Sequence, residues 1–267
     1  MPQHFSTLDQ LPEAYDHVYL SPHLDDAALS CGGAIARHSA NHQRVLVITI
    51  CTAAPDLRVP FSPFAAAMHA SWGLNPDRVV AQRLQEDIAA LEILGADSFQ
   101  LAQLDAIYRM PEQYTSDTAL FSSPADDDPL LVALEQALGA LTQRFPEAVL
   151  YAPLAIGQHV DHQITYAAAL RLNKAGTPVA FYEDIPYVLV PGALERRLTT
   201  IDGQLLMPSI VTIDGYLARK LSAIEAYSSQ IAMLFGDSQQ MEQRVRSYAS
   251  ALRPESSTFG ERLWLYR

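Results

Sequence analysis

Two short stretches hold the residue types best suited to bind a cation and activate water. The first reads Ser21-Pro22-His23-Leu24-Asp25-Asp26-Ala27 and continues to Gly32-Gly33; the second reads His159-Val160-Asp161-His162. Two neutral imidazoles and one carboxylate on a zinc ion leave room for water and a substrate oxygen, as hydrolytic zinc sites require. His23, Asp26 and His162 are the expected ligands. Zn2+ is the expected ion, and Fe2+ suits the same donor set. Either stretch alone has a plainer use, with Asp25 or Asp26 capping one helix and His162 opening another. A metal site requires both stretches to reach one cleft.

The surrounding pattern predicts that they do. Runs at 17–21 and 45–51 are β-branched and apolar on both faces, as buried parallel strands are, and short strands follow at 98–101, 148–151 and 179–182. Helices are expected over 27–40, 79–94 and 162–174, with another carrying Leu130, Leu134, Leu138 and Leu141 on one face. Gly95 and Gly176 stand where helix C-caps belong, and Asp126, Asp127 and Asp128 meet the positive end of the Leu130 helix. This βαβ alternation predicts an α/β fold: a Rossmann-like parallel sheet in strand order 3-2-1-4-5 with helices on both faces. Strands one and four are then neighbours whose connections leave in opposite directions, which opens a crevice at their C-terminal ends. The two His/Asp stretches are the loops that follow those two strands. The first lacks the Gly-x-Gly-x-x-Gly that a pyrophosphate needs, so the loop exchanges anion binding for cation binding.

The rest of the chain frames this core. Residues 184–267 read as an irregular α/β extension packed on the core of residues 1–183, with a strand near 209–213, helices around 216–235 and 239–252, and an apolar Leu263-Trp264-Leu265 ending. No Gly/Ser linker or internal repeat divides them, so residues 1–267 are expected to form a single domain. The chain has 267 residues, 49% hydrophobic, enough for a sizeable core, and carries 18 Lys plus Arg against 30 Asp plus Glu. The resulting net charge of −12 argues against nucleic acid and anionic membranes as partners. No apolar run is long enough to span a bilayer, no secretion signal opens the chain, and two cysteines, Cys31 and Cys51, are too few for a disulfide framework. A cytoplasmic location is expected, and both cysteines are expected to be structural.

At the two His/Asp stretches the sequence resembles the LmbE-like, or PIG-L, family of metal-dependent N-deacetylases. The family's first motif is Pro-His-Pro-Asp-Asp-Glu followed by a glycine pair, matched by Pro22 to Ala27 with Gly32-Gly33; its second, His-x-Asp-His, is matched by His159 to His162. Leu24 stands for the second proline and Ala27 for the glutamate, departures that touch loop stiffness and helix-start electrostatics and leave the ligands intact. The resemblance implies a Rossmann-like fold, a zinc-activated water and removal of an N-acyl group from an amino sugar. It makes His23, Asp26 and His162 the ligands and Asp25 the general base. His159 becomes the group that stabilises the oxyanion or donates a proton, with Asp161 tuning it. Segments at 63–69, 104–109 and 183–187 look like the branch that contains glycopeptide-antibiotic sugar deacetylases.

Weaker candidates rim the same face. Asp105, Tyr108 and Arg109 follow strand three, and Glu183, Asp184 and Tyr187 follow strand five, where polar side chains suit sugar hydroxyls. The aromatic loop at 53–77 offers His69 and Trp72 as a lid over a sugar. Arg83, Glu86 and Asp87 read as the solvated face of their helix. The expected partner is a small N-acylated sugar or glycoconjugate. Rival readings are hydrolysis of another amide or an ester, or a silent carbohydrate-binding protein. The chain has no Gly-x-Ser-x-Gly elbow, P-loop or His-Glu-x-x-His.

Overall fold

The computed structural model describes residues 2–72, 78–201, 203–254 and 257–267, apart from the side chains of Trp72 and Gln204. In chain order its elements are β1 (His4–Phe5), β2 (His17–Ser21), α1 (Asp26–Ala40), β3 (Val45–Thr49), α2 (Pro63–Trp72), α3 (Val79–Leu94) and β4 (Asp97–Gln100). Two one-turn helices, α4 (Ala106–Arg109) and α5 (Asp117–Leu120), precede α6 (Leu130–Arg144), β5 (Val149–Pro153), α7 (Val160–Lys174) and β6 (Val179–Tyr182). The remainder forms α8 (Ala193–Thr200), β7 (Leu206–Thr212), α9 (Leu217–Glu225), α10 (Ser228–Phe235), α11 (Ser238–Ala251) and β8 (Gly260–Tyr266).

Strands β2 and β3 are buried at every residue, which is why their sequences are apolar on both faces. They lie in an eight-stranded sheet of order β1-β4-β3-β2-β5-β6-β8-β7. The inner five strands, all parallel, follow the expected 3-2-1-4-5 order. The full sheet differs in detail, because β1 pairs with β4 at one edge while β8 and β7 add two antiparallel strands beyond β6. Gly95 ends α3 at φ 80°, a conformation that costs a β-carbon, and Asp128 accepts the Leu130 N–H at the start of α6.

Helices α1, α3 and α9 pack together, as do α6 and α7. The glycine pair of α1 admits this packing: a β-carbon on Gly33 would lie 2.7 Å from Ile213, and one on Gly32 would lie 3.0 Å from the Lys220 side chain. The extension thereby seats directly against the helix that begins with Asp26. Segment 53–72, expected as loop, contains α2. That helix joins α4, α5 and the start of α7 in a satellite apolar cluster of Ala65, Ala106, Ile107, Tyr114, Leu120 and Val160, distinct from the main core. Apolar residues are so dense in 63–68 that they satisfy helix packing as readily as a mobile lid. Among the described residues, no helix is long and apolar enough to cross a membrane.

Candidate metal centre

Parallel pairing of β2 with β5 carries the two His/Asp loops to the same end of the sheet. The Asp26 side chain turns back over its own loop, where Oδ2 accepts the His23 N–H at 2.8 Å. The same oxygen lies 3.4 Å from His23 Nδ1 and 3.3 Å from His162 Nε2. Two ligands on a tetrahedral zinc, each about 2.0–2.1 Å from the ion, stand about 3.3–3.4 Å apart. Asp26 therefore faces each imidazole at the separation a shared divalent cation imposes.

The remaining ring nitrogens decide which lone pairs point inward. His162 Nδ1 lies 2.7 Å from Asp184 Oδ1, and His23 Nε2 lies 3.0 Å from Asp161 Oδ2. Each carboxylate takes a ring N–H, so the opposite nitrogen presents its lone pair, the usual support of a metal-bound histidine. His162 Nε2 is buried without a hydrogen-bond partner, an expensive state for a polar atom unless an ion fills the space before it. This orphaned atom, the distances and the donor chemistry fit a divalent metal. His159 also brings a ring nitrogen within 4.8 Å of those of His23 and His162. Its Nδ1, however, accepts the Asp161 N–H at 3.2 Å as the N-cap of α7, which leaves Nε2 as the proton-bearing nitrogen.

Charge follows this geometry. Burial raises the Asp26 carboxyl, but the facing His162 and His23 imidazoles outweigh it and hold the group well below the usual carboxylate range. Burial likewise opposes charge on His162, yet Asp26 and Asp184 raise it to about 9. Metal and proton thus compete for the same lone pairs. Burial, reinforced by the Asp26 charge, pushes Asp25 up to about 7 against the pull of Arg83 and His23. Asp25 occupies the N-cap position of α1 but makes no side-chain cap; its Oδ2 lies 3.5 Å from Arg83 instead. Burial and the neighbouring His23 and His162 keep His159 neutral, well below the ordinary imidazole range.

These groups open into a cavity of about 400 Å³ whose lining includes His23, Asp25, Asp26, Arg83, Asp105 and His159. A larger cleft of about 630 Å³ lies between 188–195 and α11 and includes none of them; chemistry rather than size assigns the site. Tyr187 also lines the cavity, edge-on to His162, and occupies space that a β-carbon on Gly157 would invade.

Other expected rim residues divide between the site itself and buried contacts around it. Arg109 is buried beneath the site, bidentate to Asp128 at 2.8 Å and 2.6 Å from Asp161, so it holds Asp161 rather than a sugar. Asp128 accordingly does more than start α6. Glu183 binds Arg262, Trp264 and Tyr248 within the extension. Asp184 meets His162 and the Ile156 N–H. His69 is buried against Tyr108 and Phe61. Trp72's side chain lies outside the described residues. Asp105 caps α4 by accepting the Ile107 N–H and stands 3.5 Å from His23. In the other direction, the solvated-face expectation fails for α3. Arg83 reaches the cavity, Glu86 accepts from Ser228 and Ser229, and Asp87 accepts from Tyr227 and Thr49. Spacing of i, i+3 and i+4 is the same for a solvent-facing and a site-facing polar stripe, so the sequence carried no discriminating signal.

Comparison with known proteins bears on the same residues. Residues 18–173, which contain both His/Asp loops, match the family described as PIG-L: GlcNAc-PI de-N-acetylase. The chain belongs to the PIG-L family. It is 31% identical over 243 residues to a 2'-N-acetylparomamine deacetylase of Niallia circulans, covering 82% of each chain. Among solved structures, the zinc-inhibited form of a teicoplanin deacetylase superposes with a TM-score of 0.76 at 29% identity, covering 92% of this chain and 96% of that one. The A40926 pseudoaglycone deacetylase matches with a TM-score of 0.74 at 27% identity over 94% of this chain and 96% of the other. In this PIG-L chain Ala27 is 1% exposed, so a residue without charge suits the space where the family motif has glutamate.

Proposed function

We propose that the chain is a metal-dependent hydrolase that removes an N-acyl group, N-acetyl in the first instance, from an amino sugar or glycoconjugate. The working ion is Zn2+, with Fe2+ suited to the same donors. One observation carries this reading: Asp26 Oδ2 sits between His23 Nδ1 and His162 Nε2 while the adjacent Asp25 stays clear of both rings and opens on the cavity. The names of the relatives, deacetylases acting on N-acetylparomamine, teicoplanin and A40926 pseudoaglycone, support the bond and the substrate class.

His23, Asp26 and His162 hold the ion, oriented by Asp161 and Asp184. When bound, a divalent cation supplies a Lewis acid for the acyl oxygen and a water of lowered pKa. Asp25 takes a proton from the attacking water and returns it to the amine nitrogen as the C–N bond breaks, releasing the carboxylic acid and a free amine. His159, neutral and bearing its proton on Nε2, donates a hydrogen bond to the acyl oxygen as negative charge develops there. Arg83 beside Asp25 favours the ionised carboxylate that a base requires. Residues 1–267 act as one domain, since the extension contributes Tyr187 and α10 to the cavity wall. Free, buried Cys31 and Cys51 suit a reducing cytoplasm.

Metal analysis of the purified chain, coupled to acetate and free-amine detection over a panel of N-acetylated amino sugars, tests the reading. Stoichiometric metal and metal-dependent acetate release are expected. A metal-loaded chain that releases no acetate from any member would overturn it in favour of a silent carbohydrate-binding protein or a hydrolase of another bond.

A further inference from the structure

Behind His23 a chain of buried hydrogen bonds leads away from the metal centre. Asp161, on the first turn of α7, is fully buried. Its Oδ2 accepts the His23 ring N–H at 3.0 Å and the Ala106 N–H at 3.2 Å, while Oδ1 accepts from Arg109 Nη2 at 2.6 Å. Arg109, at the end of α4, then forks. Its Nε and Nη2 donate to the two oxygens of Asp128 at 2.8 Å each, and Nη1 donates to the Leu104 carbonyl at 2.6 Å. Asp128 also accepts the Tyr114 hydroxyl at 2.8 Å and the Leu130 N–H at 2.9 Å. The Arg109 and Asp128 side chains are 6% and 2% exposed, so protein groups rather than solvent satisfy this pair.

A buried carboxylate is costly unless polar or charged partners satisfy it, and Arg109 is the cation that satisfies Asp161. Without that guanidinium, Asp161 would regain balance by taking up a proton or by turning toward the ion's position, and either change ends its hold on the His23 ring. The Cys51 thiol lies within 4.8 Å of the same His23 and Asp161 donor atoms, yet with Arg109 in contact this group already has its cation. Asp184, the carboxylate behind His162, is supported differently: it accepts the Ile156 N–H and has no Arg or Lys within ion-pair distance among the described residues. His159 is served differently again. Its Nδ1 stands 4.0 Å from Asp161 Oδ2, outside hydrogen-bond reach, and it is the Asp161 backbone N–H that meets His159. The Asp161 carboxylate thus faces the ligand His23. One planar guanidinium spans Asp161, Asp128 and the Leu104 carbonyl at once, a fork that a lysine ammonium on its flexible stem does not reproduce.

We infer that Arg109, clamped by Asp128, is a positioning residue for the metal centre: it holds the Asp161 carboxylate on the His23 Nε2–H and thereby aims His23 Nδ1 at the ion. This rests on the metal-dependent reading and needs no assignment of the substrate. Asp128, the last acidic residue of the 126–128 run, anchors this clamp as well as the start of α6.

The test measures metal affinity on the full chain, stripped and then titrated with Zn2+ against a chelator, alongside the visible spectrum of the Co2+ form. Arg109→Met should raise the Zn2+ Kd by about 10- to 100-fold, the usual effect of losing support behind a metal-bound histidine, and should alter the Co2+ ligand-field bands. Arg109→Lys, which keeps the charge without the fork, should recover the affinity only in part. Asp128→Asn, which keeps the shape and loosens the clamp, should shift Kd in the same direction by less. Lys220→Met, which breaks a buried pair away from the centre, controls for lost stability and should leave both readouts at wild-type values. In the Arg109 variants the change in Kd should exceed the change in kcat at saturating metal. Circular dichroism checks folding, and Asp128→Asn decides where Arg109→Met does not fold. A folded variant with the wild-type Kd and Co2+ spectrum overturns the inference. So does an unchanged Kd with a lowered kcat, which would place the effect on His159. A wild-type chain that binds no divalent metal would remove the metal-dependent reading itself, and this inference with it.

Discussion

Helix α1 borders two buried ionic clusters, one at its first turn and one at its middle, and they differ in a way that separates function from architecture. In the middle, Glu261 accepts the Gly33 and Ala34 N–H groups at 2.9 and 2.8 Å and the Lys220 Nζ at 2.7 Å, while Lys220 also donates to the Ser30 carbonyl. Donors and acceptors balance, and neither residue keeps a buried polar atom without a partner. At the first turn, Asp25 and Asp26 stand side by side, His162 Nε2 has no hydrogen bond, and the Asp161 and Asp184 carboxylates already occupy the far nitrogens of the two rings. Both clusters are buried and charged. One is closed, and the other keeps a buried lone pair open to a cation.

This contrast can be broken at several points. His162→Ala or His23→Ala should abolish metal binding and with it all turnover, read by metal analysis and acetate release on the same sample. Retention of one equivalent of metal in both would refute the ligand set. Asp25→Ala should keep the metal and lower kcat by about 10²- to 10⁴-fold, the range for a positioned acid/base group; near-normal turnover in a metal-replete variant removes Asp25 from that role. Lys220→Met should act on the closed cluster, costing about 3–5 kcal/mol of stability by stranding the buried Glu261 charge, with metal affinity of the folded chain unchanged. Denaturant melts and a metal titration separate the two effects.

Smaller shifts sharpen the comparison further. Asp184→Asn should weaken metal binding by about 10- to 100-fold, since it loosens the ring that presents Nε2. A pH series provides the last measure. His162 is raised to about 9 in the metal-free chain, so its proton must leave before the ion binds. Metal affinity should rise with pH between 6 and 9, by at most about tenfold per unit for each proton displaced from the raised His162 and His23 imidazoles. A pH-independent affinity between 6 and 9 would contradict the assigned contact.

Much of the candidate site was legible because metal chemistry accepts few residue types and because a switch point in a parallel sheet tells where two loops meet. His23, Asp26, His159 and His162 came together on that logic. Arg109 and Glu183 misled, since a charged residue after a strand reads the same whether it faces a sugar or closes a buried ion pair. Arg83 and Met233 were illegible for opposite reasons. Arg83 lies on a polar helix stripe that solvent would explain equally well, and Met233 is an apolar residue of α10 that joins the cavity lining from far along the chain.

Local order in the chain determined the βαβ alternation, the turn at Gly95, the loops that carry imidazoles and carboxylates, and the glycine pair that lets α1 be approached closely. These depend on propensity, period and backbone sterics, which neighbouring residues set. Tertiary structure alone decided that Asp128 and Arg109 would hold Asp161, that Glu86 would fasten the start of α10 beside the cavity, and that β8 and β7 would complete the sheet. Each of those contacts joins groups whose burial becomes favourable only when a partner from another segment satisfies them, and no local pattern records which partner that is.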